Sequence, residues 1–342
     1  MEISEFTGRL RDGKAAGWYL FSGEEDYLKK YYLRELAAAV VPDGGLAAFN
    51  HIVFDGAEPD CAALTDAIKS PPMMAERKLV EWRYADFEKM REGTRRAIEE
   101  LAPLREEYPY TTVAFLCAVE GFDAGSARRP GKQAVRFGKI FDILNFPKST
   151  DRQLMAWLKK HFDAEGIGVT ADSLSALLLR SGHSMQVLNG EVEKLAAYIK
   201  ENGRQELTVA DVEHVASGTV ECDTFTLSNA LTDRDGAAAF RALAELKARR
   251  TDPSVIIGMM ARTFSEFLAV VGMMTDGKDA NDVAAILKIN PYKVKLYAKA
   301  AKNRPPEDIA RVLTRLVEVD AASKSGGASG YSAVEMFIAE NI

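Results

Sequence analysis

The turn Gly23-Glu24-Glu25-Asp26 stands where a phosphate cradle would be expected. It joins an apolar run, Gly17 to Phe21, to a helical pattern with Leu28, Tyr32, Leu36 and Val40 on one face. Such a turn binds phosphate when it reads GxxxxGK[ST], because the lysine meets the β- and γ-phosphates and the hydroxyl holds Mg²⁺. Here it has no lysine and no hydroxyl partner, and it carries three carboxylates. Gly23, Glu24 and Glu25 are therefore expected to form a degenerate loop that repels nucleotide. The acids instead complement the positive end of the following helix. A second candidate, Gly125 to Lys132, has five residues between its glycines rather than four, and Gln133 where Ser or Thr is needed. It reads as a solvated basic loop. The stretch Cys117-Ala118-Val119-Glu120 lacks the acidic pair expected to bind Mg²⁺ and activate water.

Other reactive groups are scattered. His51, His161, His183 and His214 show no HExxH spacing, and His161 reads as a helix-face residue next to Phe162. No Gly-x-Ser-x-Gly elbow occurs. Cys61, Cys117 and Cys222 lie too far apart for zinc spacing or a disulfide framework, which points to the cytoplasm. No catalytic residue, metal ligand or cofactor is expected. The run from Lys288 to Arg304 is basic without an acid, and Lys295, Lys299 and Lys302 would share one helix face. That face could touch DNA phosphates, meet another subunit or simply be solvated.

The stretch Ser70-Pro71-Pro72-Met73-Met74-Ala75-Glu76-Arg77-Lys78 offers a different chemistry. A short helical pattern enters it from Asp60, and the two prolines stop that helix. Two methionines follow on a tight connection, before a strand that opens at Lys78. They either fold back onto the core or form an apolar plug for another protein's pocket, a use that suits the flexible thioether.

The elements that must position these residues divide the chain in three. Five strand patterns, Gly17–Phe21, Phe49–Phe54, Lys78–Trp82, Thr111–Cys117 and Lys139–Leu144, alternate with helical stretches, among them a charged helix over Glu88–Leu104. That order implies crossover connections and a mostly parallel sheet, an α/β domain over residues 1–147. Pro42-Asp43-Gly44-Gly45 ends the first long helix. Residues 148–217 read as a small helical module with starts at Thr150, Thr170 and Thr208. Residues 218–342 read as all-helical, with Phe264, Phe267, Leu268 and Val271 offering a packing face for other subunits. Ser325 to Gly330 is a flexible break before the last helix. The net charge of −6 resides entirely in the first 217 residues and disfavours a protein that coats nucleic acid by itself. Apolar runs such as Leu36–Val41 are too short to span a bilayer, and the first residues show no signal peptide.

Four motifs in order carry a resemblance. They are Tyr19-Leu20-Phe21-Ser22-Gly23-Glu24-Glu25-Asp26-Tyr27-Leu28, Pro72-Met73-Met74-Ala75-Glu76-Arg77-Lys78-Leu79-Val80, Asn189-Gly190-Glu191-Val192-Glu193-Lys194-Leu195 and Asp320-Ala321-Ala322-Ser323-Lys324-Ser325-Gly326. Together the chain resembles the delta subunit family of bacterial DNA polymerase III clamp loaders. The resemblance implies a P-loop NTPase-like (AAA+) N-terminal domain, a helical lid and a C-terminal collar domain. It implies a non-catalytic subunit of a DNA-directed DNA polymerase holoenzyme that binds and opens the sliding clamp, the beta subunit, without hydrolysing ATP. The implied partners are gamma/tau and delta-prime type subunits in a hetero-pentamer, and primed DNA within the complex, with no membrane. Carried over, the clamp-binding plug is Met73 and Met74, presented by Pro72. The family usually has an aromatic or Leu-Phe pair there, so this chain keeps the volume and loses ring stacking.

Two other classes compete. An active ATPase or helicase-like motor needs the nucleotide site that the Gly23 turn lacks. A stand-alone DNA-binding protein would rest on residues 288–304 and would show salt-dependent affinity without partners.

Overall fold

The computed structural model describes residues 1–41, 44, 47–126, 128–302, 304–325 and 330–342. Four expectations fall wholly or partly outside them: the helix stop at 42–45 apart from Gly44, residue 127 of the basic loop, residue 303 of the run 288–304, and residues 326–329 of the break before the last helix, including the final glycine of the fourth motif. The chain forms two compact units, Met1–Ser149 and Thr150–Ile342. The boundary expected between 147 and 148 lies two residues from this division, and the one expected between 217 and 218 lies inside the second unit.

In the first unit the order is α1 (Ile3–Arg11), β1 (Trp18–Ser22), α2 (Asp26–Val40), α3 (Ala47–Asn50), β2 (His51–Asp55), α4 (Cys61–Lys69) and β3 (Lys78–Ala85). There follow α5 (Glu92–Glu100), α6 (Leu104–Glu107), β4 (Thr111–Cys117), α7 (Lys132–Phe137) and β5 (Asp142–Asn145). The sheet order is β2-β3-β4-β1-β5, and every pairing is parallel. This is the expected α/β arrangement, with both faces covered. Alternation along the strands sorts the core. Trp18, Leu20, Val113 and Phe115 face one layer with Leu64, Ile68, Ile98 and Phe137. Tyr19, Phe21, Ala114 and Leu116 face the other with Phe6, Leu33, Leu36 and Val40.

Several bounds differ from the expected ones. Phe49 and Asn50, expected to open a strand, are helical. The helix expected over Glu88–Leu104 starts only at Glu92 and stops at Glu100, where the backbone tightens at Leu101 and Ala102 ahead of Pro103; a second short helix then begins at Leu104. Ile140 and Phe141, expected in the fifth strand, turn back onto the Phe137 carbonyl, so the strand starts at Asp142.

The second unit starts with α8 (Asp151–Ala164), β6 (Gly168–Val169), α9 (Ala171–Ser181), α10 (Met185–Glu201), β7 (Glu206–Leu207) and α11 (Val209–Val215). Thr150, Thr170 and Thr208 each accept from the third backbone N–H of their helix in a capping box. The short parallel pair β6–β7 had no signal in the sequence pattern. Then come α12 (Val220–Thr232), α13 (Gly236–Ala248), α14 (Pro253–Thr275), α15 (Ala280–Leu287), α16 (Pro291–Ala300), α17 (Pro306–Lys324) and α18 (Tyr331–Asn341). Phe264 and Phe267 of α14 are buried in the core that these helices share, with Leu268 and Val271 packed against it, so this face is internal rather than a free face for other subunits. Composition and length alone make α14 long and apolar enough to cross a membrane, which the reading of apolar runs overlooked because Arg262 and Glu266 interrupt it. Its Ile256, Ile257 and Met260 also lie in that core.

Candidate functional site

The loop between α4 and β3 is fixed at its root. An α-helix leaves its last carbonyls without partners inside the helix. Here side chains at the starts of β3 and β4, and Tyr110 just before β4, supply them. Lys78 donates from Nζ to the carbonyls of Ala67 and Ser70, and to Ser70 Oγ at 2.8 Å. Thr111 Oγ1 donates to Ile68 O and the Tyr110 hydroxyl to Lys69 O, both at 3.0 Å. Lys78 is 1% exposed, and its ammonium lies 5.7 Å from the centre of the Tyr110 ring. Burial pushes its pKa down to about 8.

The loop itself is held by Asn50. Its Oδ1 accepts from the Met73 N–H at 2.7 Å, and its Nδ2 donates to the Met73 carbonyl at 2.9 Å. One buried side-chain amide therefore satisfies both backbone groups of Met73. Met74 follows at φ 48°, in the left-handed region that non-glycine residues seldom enter. Arg77 donates to Gly13 O at 3.3 Å on the far side of the loop. The methionines themselves are exposed, Met73 at 48% and Met74 at 91%. Neither folds back onto a core. A cavity of about 620 Å³ opens beside them, lined by Val40, Asn50, Met74 and Arg77 among others. Phe49, next to Asn50, is also exposed; its pattern had placed it in a strand.

The Gly23 turn is built for close packing. Gly23 has φ 101°, and a Cβ there would lie 2.2 Å from the Phe146 carbonyl oxygen. The same oxygen accepts from the Glu25 N–H at 3.0 Å. The three acids differ in position: Glu24 is exposed, Glu25 is buried and Asp26 is half-buried. Burial raises the Glu25 pKa against the hydrogen bonds from Ser149. Burial also acts on Asp26, but the Lys29 and Lys30 ammoniums outweigh it and hold the carboxyl below its ordinary range. Lys29 is fully buried, with Nζ 2.8 Å from Asp26 Oδ1 and donating to Cys117 O at 3.0 Å. A protein cation thus sits between the start of α2 and the end of β4. The sequence reading missed it because Lys29 lies within the helix, outside the turn.

The remaining candidates have structural partners. In the basic loop Gly125 N–H donates to Asp123 Oδ1 at 2.8 Å, and a Cβ on Gly131 would lie 2.0 Å from the Asp123 carbonyl oxygen. Lys295 pairs with Asp172 at 2.7 Å, while Lys299 and Lys302 are exposed. Lys302 lies beyond the end of α16, so the three do not share one helical face. Two further cations of that run turn inward. Lys293 pairs with Glu266 at 2.5 Å, and Arg304 donates to the carbonyls of Leu231 and Asn341. His51 meets Glu81 at 2.7 Å, His183 meets Asp151 at 3.1 Å, and His161 meets the Trp157 carbonyl at 2.8 Å. Among the described residues no group of His, Cys, Asp and Glu is placed to hold a metal ion. In the third motif, Glu191 is buried and accepts from Lys194 and from the Ser217 N–H. In the fourth, Asp320 pairs with Lys324 at 2.6 Å.

Comparison with known proteins bears on this geometry. The family model "DNA polymerase III, delta subunit" matches residues 19–125, and "DNA polymerase III delta subunit, C-terminal domain" matches residues 221–341. The DNA polymerase III subunit delta of Bacillus subtilis is 26% identical over 334 residues, 96% of this chain and 94% of that protein. The probable DNA polymerase III subunit delta of Aquifex aeolicus is 25% identical over 315 residues, 90% of this chain and 85% of that one. Among solved structures, the Bacillus subtilis DNA clamp loader delta protein superposes with a TM-score of 0.55 at 19% identity, covering 98% of each chain.

Proposed function

The chain belongs to the DNA polymerase III delta subunit family, and from that premise we propose that it is the clamp-loader subunit that docks on and opens the sliding clamp. The observation that carries this reading is the exposed Met73-Met74 pair on a turn where Asn50 already satisfies both backbone groups of Met73. Two adjacent large apolar side chains in water gain by entering an apolar pocket, and central apolar anchors dominate interfaces of this kind. Pro71 and Pro72 stiffen the approach to them. A ligand opens a ring only if it binds the open form more tightly than the closed one, so the plug must favour the open clamp.

The same reading assigns no ATP hydrolysis to this chain. Lys29 and Asp26 occupy the start of α2 as an ion pair, and Gly23 serves contact with Phe146 rather than approach to phosphate. Hydrolysis then belongs to gamma/tau type partners, with primed DNA bound by the assembled complex in the cytoplasm. The second unit joins those partners. Lys295, Lys299 and Lys302 are subunit or DNA contacts within that complex, since all three are exposed and the Lys295–Asp172 pair is a surface one. Affinity capture of purified sliding clamp by this chain, with and without Met73→Ala and Met74→Ala, tests the reading.

A further inference from the structure

We propose that Asn50 and Lys78 are positioning residues for docking: they hold the Met73-Met74 turn in its binding shape before the partner arrives. The inference rests on the reading of that turn as the clamp-docking site. Three observations lead to it. Asn50 reaches the loop from α3, 23 residues away in sequence, and satisfies both backbone groups of one residue, the first of the pair. Both ends of this amide are engaged by one residue, through the Met73 N–H and the Met73 carbonyl, which fixes the orientation of that residue as well as its place. Met74 holds φ 48°, a conformation that a free chain leaves for a more favourable one, so it persists only under restraint from its neighbours. Asn50 acts on the residue directly before it. Lys78 restrains the root, because its ammonium binds both the Ala67 and Ser70 carbonyls and so sets where the chain leaves α4.

These restraints matter because a floppy plug must be ordered on binding, and that cost is subtracted from affinity. A turn ordered by its own fold has already met it. The arrangement leaves the thioether side chains exposed while both backbone polar groups of Met73 are engaged by Asn50.

A double-mutant cycle in the full chain tests the inference, with clamp affinity measured well below the melting temperature of every variant. Asn50→Ala is expected to weaken clamp binding about tenfold, the effect of lost preorganisation. In the Met73→Ala, Met74→Ala background the same change is expected to do nothing further, because the side chains that Asn50 positions are gone. Hydrogen exchange at the Met73 amide is expected to accelerate in Asn50→Ala while β3 and β4 stay protected. If Asn50→Ala fails to fold, Asn50→Asp replaces it in the cycle: it keeps the acceptor for the Met73 N–H and loses the donor to the carbonyl, so a smaller loss is expected. Lys78→Met provides the second arm, with the same non-additivity. Equal losses in both backgrounds, or unchanged affinity in a folded Asn50 or Lys78 variant, would overturn the inference. If the Met73→Ala, Met74→Ala change alone leaves affinity intact, the docking reading itself falls, and the inference with it.

Discussion

Asn50 and Met73 form a closed pair of hydrogen bonds, at 2.7 and 2.9 Å, between a buried side-chain amide on one element and the backbone of the loop after another. The pair separates the two roles that the loop must combine. The Met73 backbone is held by the fold, and the Met73 and Met74 side chains are exposed at the surface.

Lys78 makes this arrangement sensitive to pH. Its folded pKa, about 8, lies below the ordinary 10.5. Between those values the unfolded chain keeps a proton that the folded chain has lost, so the Lys78 contribution to stability rises with pH across that window. At about 1.4 kcal/mol per pH unit, it should add on the order of 1 kcal/mol between pH 7.5 and 9. Denaturant melts of the unsubstituted chain and Lys78→Met at both pH values check this. Comparison with the variant is needed because the raised pKa of buried Cys117 acts in the opposite direction above pH 9. Parallel slopes in the two proteins would contradict the assignment.

Nucleotide should not bind measurably to the isolated chain. Glu24 and Asp26 present negative charge near the start of α2, and the Lys29 ammonium is already committed to Asp26 and Cys117. Titration calorimetry with Mg²⁺-ATP is expected to give no heat beyond dilution. Micromolar affinity that disappears on Lys29→Ala would show that this cation serves phosphate after all.

Gly23→Ala should be strongly destabilising. The added Cβ would meet the Phe146 carbonyl at 2.2 Å, at a φ that alanine disfavours. A loss of roughly 2 kcal/mol or more in urea melts is expected, in the range of overpacked, strained sites. A change below about 0.5 kcal/mol, the range of surface substitutions, would mean that the turn is looser than its geometry indicates.

Residues Met1–Ser149 form a compact unit with its own core on both sheet faces. A fragment of these residues is expected to retain clamp affinity within a few-fold and to fail to co-purify with the other loader subunits. Assembly of the loader around that fragment would assign joining to the wrong unit.

How far the sequence could reveal this follows from where each signal lives. The five strands were legible because apolar and β-branched runs stand between breakers, and the Thr150, Thr170 and Thr208 caps because capping is local chemistry. The turn at Gly23 and the loop that carries the Met pair were placed between their elements for the same reason. What escaped depends on distance. Asn50 carries no local mark, since its Met73 partner lies 23 residues away, and although Asp26 is a local partner of Lys29, the burial of that lysine depends on Cys117, 88 residues away. The inward turn of Phe264, Phe267, Lys293 and Arg304 depends on which helices pack together, and helical spacing alone does not tell a core face from a docking face.

The central claim is that Met73 and Met74 dock on the sliding clamp, and affinity measured together with stability tests it most directly. Each fully buried Met is worth roughly 1.5–3 kcal/mol by area transfer. The double change Met73→Ala, Met74→Ala should therefore weaken clamp binding by roughly two to four orders of magnitude, at about 1.4 kcal/mol per decade. The melting temperature should stay within about a degree, because both side chains are exposed in the free chain. Clamp affinity that is unchanged, or lost only in step with the fold, would contradict the account.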